Sequence, residues 1–202
     1  MSAEALAKWV DEHTSCICFF GGDPAPQMPH ALKTAKIALE KKENKILRVC
    51  WETNGSMCRP VLKKAADISL ESGGCIKFDL KAFDPVLHEV LCGVPNYNTL
   101  KNFEFLAEMV ERRKEPPFLI ASTLLVPGYV DENEVKNIAE FIASLNPSIP
   151  YSLLAFHPDF EMNDLPCTSK EHAERCYKIA KRVGLERVNI GNVFTLGPRY
   201  GE

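Results

Sequence analysis

Apolar positions follow two alternating rhythms along the whole chain. Residues 3–12, 26–42, 59–71, 85–91, 99–113, 132–145 and 169–183 return an apolar side chain every three or four positions, the period of a helix with one buried face. Short, nearly continuous apolar or β-rich runs lie between them at 15–20, 46–51, 75–80, 118–125, 151–156 and 187–190. Runs of this kind suit strands covered on both faces. Strands and helices that alternate in this way, with one extra helix, predict a parallel sheet with crossover helices, an α/β fold.

The residues that follow each strand repeat a second pattern. Gly21-Gly22-Asp23-Pro24, Glu52-Thr53-Asn54-Gly55, Lys81, Pro127-Gly128, His157 and Gly191-Asn192 are polar or turn-forming and come directly after an apolar run. Asp23, Glu52 and Asp79 are 29 and 27 residues apart, and His157 and Gly191 are 34 apart, close to the roughly 30 residues of one strand–helix–strand unit. The 48 residues from Asp79 to Pro127 hold one extra helix. Parallel α/β folds place their active sites at the carboxyl ends of the strands, so these positions are the candidates for chemistry. A complete eight-stranded barrel takes about 250 residues, and six strands in 202 residues predict an incomplete barrel. No Ser/Gly linker interrupts the pattern, so the expectation is one domain over residues 1–202.

Composition narrows the function classes. An apolar content of 46% is enough for a buried core. With 24 Lys and Arg against 27 Asp and Glu the net charge is -3, without the basic excess that nucleic-acid binding uses. The longest nearly apolar stretch, at 118–126, is too short to span a bilayer and is broken by Ser122 and Thr123. Met1-Ser2-Ala3-Glu4 is an acidic, non-secretory start, so a cytoplasmic chain with no membrane partner is expected. The eight cysteines include no Cys-x-x-Cys pair and are expected as reduced thiols. Cys16 and Cys18 share one face of a strand and are expected in the core. Cys92-Gly93 reads as a helix end, and Cys167 and Cys176 flank a polar helix with no assigned role. His13, His30, His88 and His172 fall among charged residues and are expected in solvent, whereas His157, between Phe156 and Pro158, suits a buried, hydrogen-bonded imidazole or a rim ligand.

Taken singly, the strand-end motifs have ordinary readings. Asp23-Pro24 before a helix is a cap followed by a first turn that tolerates proline, and Asn54-Gly55 is a turn signal. Asp79 and Lys81 read as an ion pair or as a carboxylate site beside a cation. The glycines at 21 and 22 allow close backbone approach to a ligand whose ammonium group the carbonyls and Asp23 could accept.

In this order on successive strands the set resembles the radical S-adenosylmethionine enzymes, in particular those like the pyruvate formate-lyase activating enzyme. The family's Gly-Gly-Glu-Pro motif is similar to Gly21-Gly22-Asp23-Pro24, its Glu/Asp-Thr-Asn-Gly to Glu52-Thr53-Asn54-Gly55, and its Asp-Leu-Lys to Asp79-Leu80-Lys81. Its Val-Pro-Gly is matched at Val126 to Gly128 and its Leu-Leu-x-Phe-His at Leu153 to His157, so the likeness runs from about Ser15 to Gly191. The resemblance implies a partial TIM-like barrel and S-adenosylmethionine as cofactor. It implies that Gly21, Gly22, Asp23 and Pro24 meet the methionine ammonium, and that His157 lies near the adenosyl end. Glu52, Thr53 and Asp79 are implied as a monovalent-cation site, with Asn54 and Lys81 beside the cofactor.

The family's Cys-x3-Cys-x2-Cys loop, which holds three irons of a four-iron four-sulfur cluster, has no counterpart among the eight cysteines. The strand at 15–20 matches the family's second, so the expectation is a fragment whose first strand is missing and whose apolar edge at 15–20 tends to pair with other copies. By resemblance, the intact enzyme cleaves S-adenosylmethionine reductively to a 5'-deoxyadenosyl radical that abstracts hydrogen, and this portion holds the cofactor. A glycyl-radical protein, another protein or a small molecule is then the substrate, and a flavodoxin or ferredoxin the electron donor. Three other readings use the same residues: a hydrolase with a divalent metal on Asp23, Glu52, Asp79 and His157, a Schiff-base aldolase on Lys77 or Lys81, and a scaffold without catalysis.

Overall fold

A computed structural model describes residues 1–41 and 46–198. Lys42, expected to close the second helix, lies outside the described residues. The elements in chain order are α1 (Ala3–Ala7), β1 (Cys16–Phe19), α2 (Met28–Lys41), β2 (Arg48–Thr53), α3 (Arg59–Ser72), β3 (Ile76–Asp79), α4 (Pro85–Cys92), α5 (Tyr97–Ala107), β4 (Leu119–Leu125), α6 (Glu132–Leu145), β5 (Tyr151–Ala155), α7 (Lys170–Val183) and β6 (Val188–Gly191), with short 3-10 turns between some of them. The strands form a six-stranded sheet in the order β1-β2-β3-β4-β5-β6, with parallel pairing. This is the α/β layout of an incomplete parallel barrel.

The chain divides into two compact units, one made of Met1–Phe78 with Asn98–Leu119, the other of Asp79–Tyr97 with Ile120 onward. In the first unit the alternation of β2 decides which face is covered. Val49, Trp51 and Thr53 are buried, while Arg48, Cys50 and Glu52 on the opposite face are exposed or half-buried. Trp51 stacks on Phe19 with ring centroids 4.6 Å apart, and its indole N–H donates to the Ala65 carbonyl of α3 at 3.2 Å, so the large apolar ring is buried without an orphaned donor. Val49 is served by two serines of α3: Ser69 Oγ donates to its carbonyl at 2.8 Å and Ser72 Oγ accepts from its N–H at 3.0 Å. Phe78 and Phe103 meet edge to face at 5.5 Å and tie β3 to α5.

The second unit holds its strand ends with buried hydroxyls. Tyr151, fully buried in β5, donates to Thr123 Oγ1 at 2.8 Å, and Thr123 in turn donates to the Leu80 carbonyl at 2.7 Å. Thr168 donates to the Leu125 carbonyl at 2.7 Å and accepts from the Phe156 N–H at 2.6 Å. Asp131 caps α6 by accepting from Asn133 and Glu134, and Ser169 caps α7.

Several expectations from the sequence are corrected. His88 and His172 are buried rather than solvated, because each ring nitrogen meets a backbone carbonyl: His88 Nδ1 lies 2.7 Å from the Val94 oxygen and His172 Nε2 lies 3.0 Å from that of Val130. Cys16 and Cys18 are exposed, not core, because the helices cover the other face of β1. Helix α1 stops at Ala7, and Asp11 then closes a turn by accepting from the His13 N–H at 3.0 Å and the Thr14 hydroxyl at 2.8 Å. The helix expected over 99–113 ends at Ala107.

Candidate functional site

The turn after β1 is built by one carboxylate. Asp23 Oδ1 accepts from the Ala25 N–H at 2.8 Å and from Thr53 Oγ1 at 3.0 Å, while Oδ2 accepts from Thr53 Oγ1 at 3.1 Å and from the Asn54 N–H at 2.5 Å. The Gly21–Pro24 and Glu52–Gly55 motifs, joined through Asp23 and Thr53 30 residues apart in sequence, are therefore one assembly. Two N–H groups and one shared hydroxyl hydrogen occupy about three of the roughly four acceptor positions of a carboxylate, leaving about one for a ligand. Gly21 has φ +90°, and a Cβ placed at Gly21 or Gly22 meets nothing within 4 Å. The turn is thus exposed backbone with open space before it.

The second loop is held from behind by residues that the sequence gave no reason to single out. Thr99 Oγ1 donates to the Asn54 carbonyl at 2.8 Å, and Asn102 Nδ2 donates to the carbonyls of Gly55 at 2.7 Å and Met57 at 2.8 Å. Both side chains are buried on α5. Gly55 has φ +70°, and a Cβ there falls 2.0 Å from a Phe78 ring carbon, so the position demands glycine on both counts. A buried Asn side chain requires partners, but the burial of Asn102 is visible only in the structure.

The other expected residues have different partners. Glu52 faces Lys77 Nζ at 3.3 Å. In the second unit Asp79 accepts from Ser122 Oγ at 2.6 Å and pairs with Lys81 Nζ at 2.9 Å. His157 is exposed, with Nδ1 3.4 Å from Asp159. Among the described residues no group of three or more His, Cys, Asp or Glu is placed to hold a metal ion. The cation site expected on Glu52, Thr53 and Asp79 and the hydrolase set of Asp23, Glu52, Asp79 and His157 each take residues from both units. Lys77 and Lys81 sit in ion pairs and are not the desolvated amines that Schiff-base chemistry needs. The residues present also do not fit the four-iron cluster, whose three closely spaced thiolates are missing. No helix among the described residues is long and apolar enough to cross a membrane.

On the open face of the first unit four thiols gather. Cys18 is the register partner of Cys50, Cys16 stands two residues earlier in β1, and Cys75 immediately precedes β3. Cys16 Sγ lies 3.6 Å from Cys50 Sγ. Hydrogen bonding from Cys75, and less strongly from Cys16, pulls the Cys50 thiol down to about 6. Burial and that same bond push the Cys16 thiol up to about 11.

The chain that builds this sheet and turn matches a known family model, the Radical SAM superfamily, over residues 1–142. The chain belongs to the radical SAM superfamily. Similar proteins include activating enzymes. The isethionate sulfite-lyase activating enzyme of Desulfovibrio desulfuricans is 31% identical over 140 residues, covering 68% of this chain and 40% of that protein. The pyruvate formate-lyase 1-activating enzyme of Escherichia coli is 25% identical over 158 residues, covering 71% of this chain and 59% of that protein. The crystal structure of a domain of pyruvate-formate lyase-activating enzyme from Bacteroides vulgatus superposes with a TM-score of 0.69 at 25% identity, over 87% of this chain and 98% of that one. The chain thus spans well under two thirds of the length of these two curated relatives.

Proposed function

We propose that this chain is the S-adenosylmethionine-holding portion of an activating enzyme for a glycyl-radical protein. The observation that carries the reading is the Asp23 carboxylate joining the Gly21–Pro24 turn to Thr53 and Asn54. S-adenosylmethionine supplies the family's radical chemistry when bound. The chain's own residues bind and orient it. The exposed carbonyls of the Gly21-Gly22 turn, together with the acceptor position left on Asp23, receive an ammonium group, and Thr99 and Asn102 keep the second loop in place behind it. Asp23 is thereby mainly a positioning residue, a part that its protein hydrogen bonds favour over that of a free acceptor. No step is assigned to Asp79, Lys81 or His157. Hydrogen abstraction from a glycyl-radical partner, and an electron donor such as flavodoxin or ferredoxin, belong to the proposal for the whole protein and rest on its similarity to the activating enzymes.

Equilibrium dialysis with labelled S-adenosylmethionine tests the binding role. The expected result is saturable binding with a dissociation constant near 1 mM, about 4 kcal/mol, that is lost in Asp23→Ala. Saturable binding unaffected by that substitution would remove the turn from the site.

A further inference from the structure

The thiols of β1 and β2 form a cluster outside the motif residues. Parallel strands in register place neighbouring residues on one face of the sheet, which puts Cys18 beside Cys50, with Cys16 two residues earlier on the same face of β1. That face is not the one covered by α3, and Cys16 is exposed while Cys50 is half-buried. The Cys16 thiol donates to the Cys50 sulfur at 3.6 Å, the contact distance of two sulfur atoms. A disulfide has its sulfurs about 2.05 Å apart, so closing this pair brings them about 1.5 Å nearer; because Cys16 pairs in register with Arg48 and Cys50 with Cys18, the two cysteines are diagonal neighbours about 7–8 Å apart at Cα, and closure takes a small shift of the edge strand β1 as well as side-chain rotation.

We propose that Cys16 and Cys50 are a redox-closing dithiol, taken to an intramolecular disulfide by a hydroperoxide. The Cys50 sulfur attacks one peroxide oxygen, the O–O bond breaks, and the departing oxygen leaves as water or alcohol with the proton that Cys50 gave up. Cys50 is then a sulfenic acid, oxidised by two electrons. Cys16 attacks that sulfur, an S–S bond forms, and the hydroxyl departs as water with the Cys16 proton. In sum two thiols give up two electrons and two protons, and the peroxide is reduced to water and water or alcohol. The bond ties β1, an edge strand of the described sheet, to β2 ahead of the turn that carries Asp23. The inference rests on the thiol geometry alone and not on cofactor binding, so either can fail without the other.

The test is oxidation of the reduced chain with an equimolar amount of hydrogen peroxide, followed by alkylation of free thiols, proteolysis without reduction and mass spectrometry. The expected result is a fall from eight free thiols to six and one linked peptide pair joining Cys16 to Cys50. That pair disappears in Cys16→Ser and in Cys50→Ser and persists in Cys58→Ser, a substitution at an exposed cysteine away from the cluster. Cys16 is exposed, so its serine variant tests the pair even where Cys50→Ser folds poorly. The proposal is overturned by a main product joining Cys50 to Cys18 or Cys75, by linkage between two copies, by Cys50 sulfinic acid beside a free Cys16, or by eight thiols remaining.

Discussion

Removing the Asp23 carboxylate gives the sharpest test of how the two motif loops are joined. In Asp23→Ala the buried Thr53 hydroxyl loses its acceptor, which costs about 1–3 kcal/mol for a buried polar group left unpaired. The N–H groups of Ala25 and Asn54 lose a charged acceptor but are accessible enough to turn to water, and together add about 1 kcal/mol. The expected loss is about 2–4 kcal/mol. With a urea dependence of about 2–3 kcal/mol per molar, the unfolding midpoint followed by circular dichroism falls by about 1 M. Thr53→Val removes the same hydroxyl at nearly constant shape, along with the bond that Thr53 Oγ1 accepts from the Gly55 N–H at 3.1 Å. Because the two side chains share one interaction, the double variant should lose less than the two single losses added together, by about 1–2 kcal/mol. Losses that simply add within about 0.5 kcal/mol would refute the claim that Asp23 and Thr53 act as a unit.

Three further outcomes follow from named contacts. Gly55→Ala forces a side chain into a left-handed turn and against the Phe78 ring, and should cost about 3 kcal/mol or more in the same urea assay; a loss under about 1 kcal/mol would mean that the loop relaxes freely. Asn102→Leu leaves the Gly55 and Met57 carbonyls without their donor and should cost about 2–3 kcal/mol while leaving the helical circular dichroism unchanged. Burial pushes the Cys176 thiol up to about 12 from 9.0, so the folded chain keeps its proton where an unfolded chain would lose it. The stability this gives is complete below pH 9 and fades as pH rises from 9 toward 12. Mass-resolved alkylation of the folded chain should therefore find Cys176 among the slowest thiols at neutral pH, speeding up about tenfold per pH unit as its thiolate fraction grows, whereas fast, pH-independent labelling would contradict its burial.

The parts of the fold that could be read from the sequence are those governed by local periodicity. Helix α6 begins and ends where its apolar spacing begins and ends, with Asp131 as a cap in front of it. Strand β2 runs two residues beyond the apolar run, to Thr53, because Glu52 and Thr53 pair with Lys77 and Phe78 of β3, a long-range contact that local hydrophobicity does not mark. Cys16 and Cys18 show where periodicity runs out: alternation places both on one face, but only the packing of the helices decides which face is covered. The burial of His88 and His172 is hidden for a related reason, since charged neighbours along the helix say nothing of the backbone carbonyl that each ring meets, six residues on for His88 and 42 residues back for His172. Of the site, the strand-end motifs were legible because they repeat about every 30 residues, roughly one strand–helix–strand unit. Their support by Thr99 and Asn102 was not, because those contacts span 45 and 47 residues and leave no mark in either segment alone.

The central claim is that the Gly21–Asp23 turn, braced by Thr53 and Asn54, receives the methionine end of S-adenosylmethionine. The most direct measurement is a titration of the isotopically labelled chain with S-adenosylmethionine, followed by the backbone amide resonances. The account predicts saturable shifts centred on Gly21, Gly22 and Asn54. Saturable shifts that leave those three amides in place and gather elsewhere would contradict it.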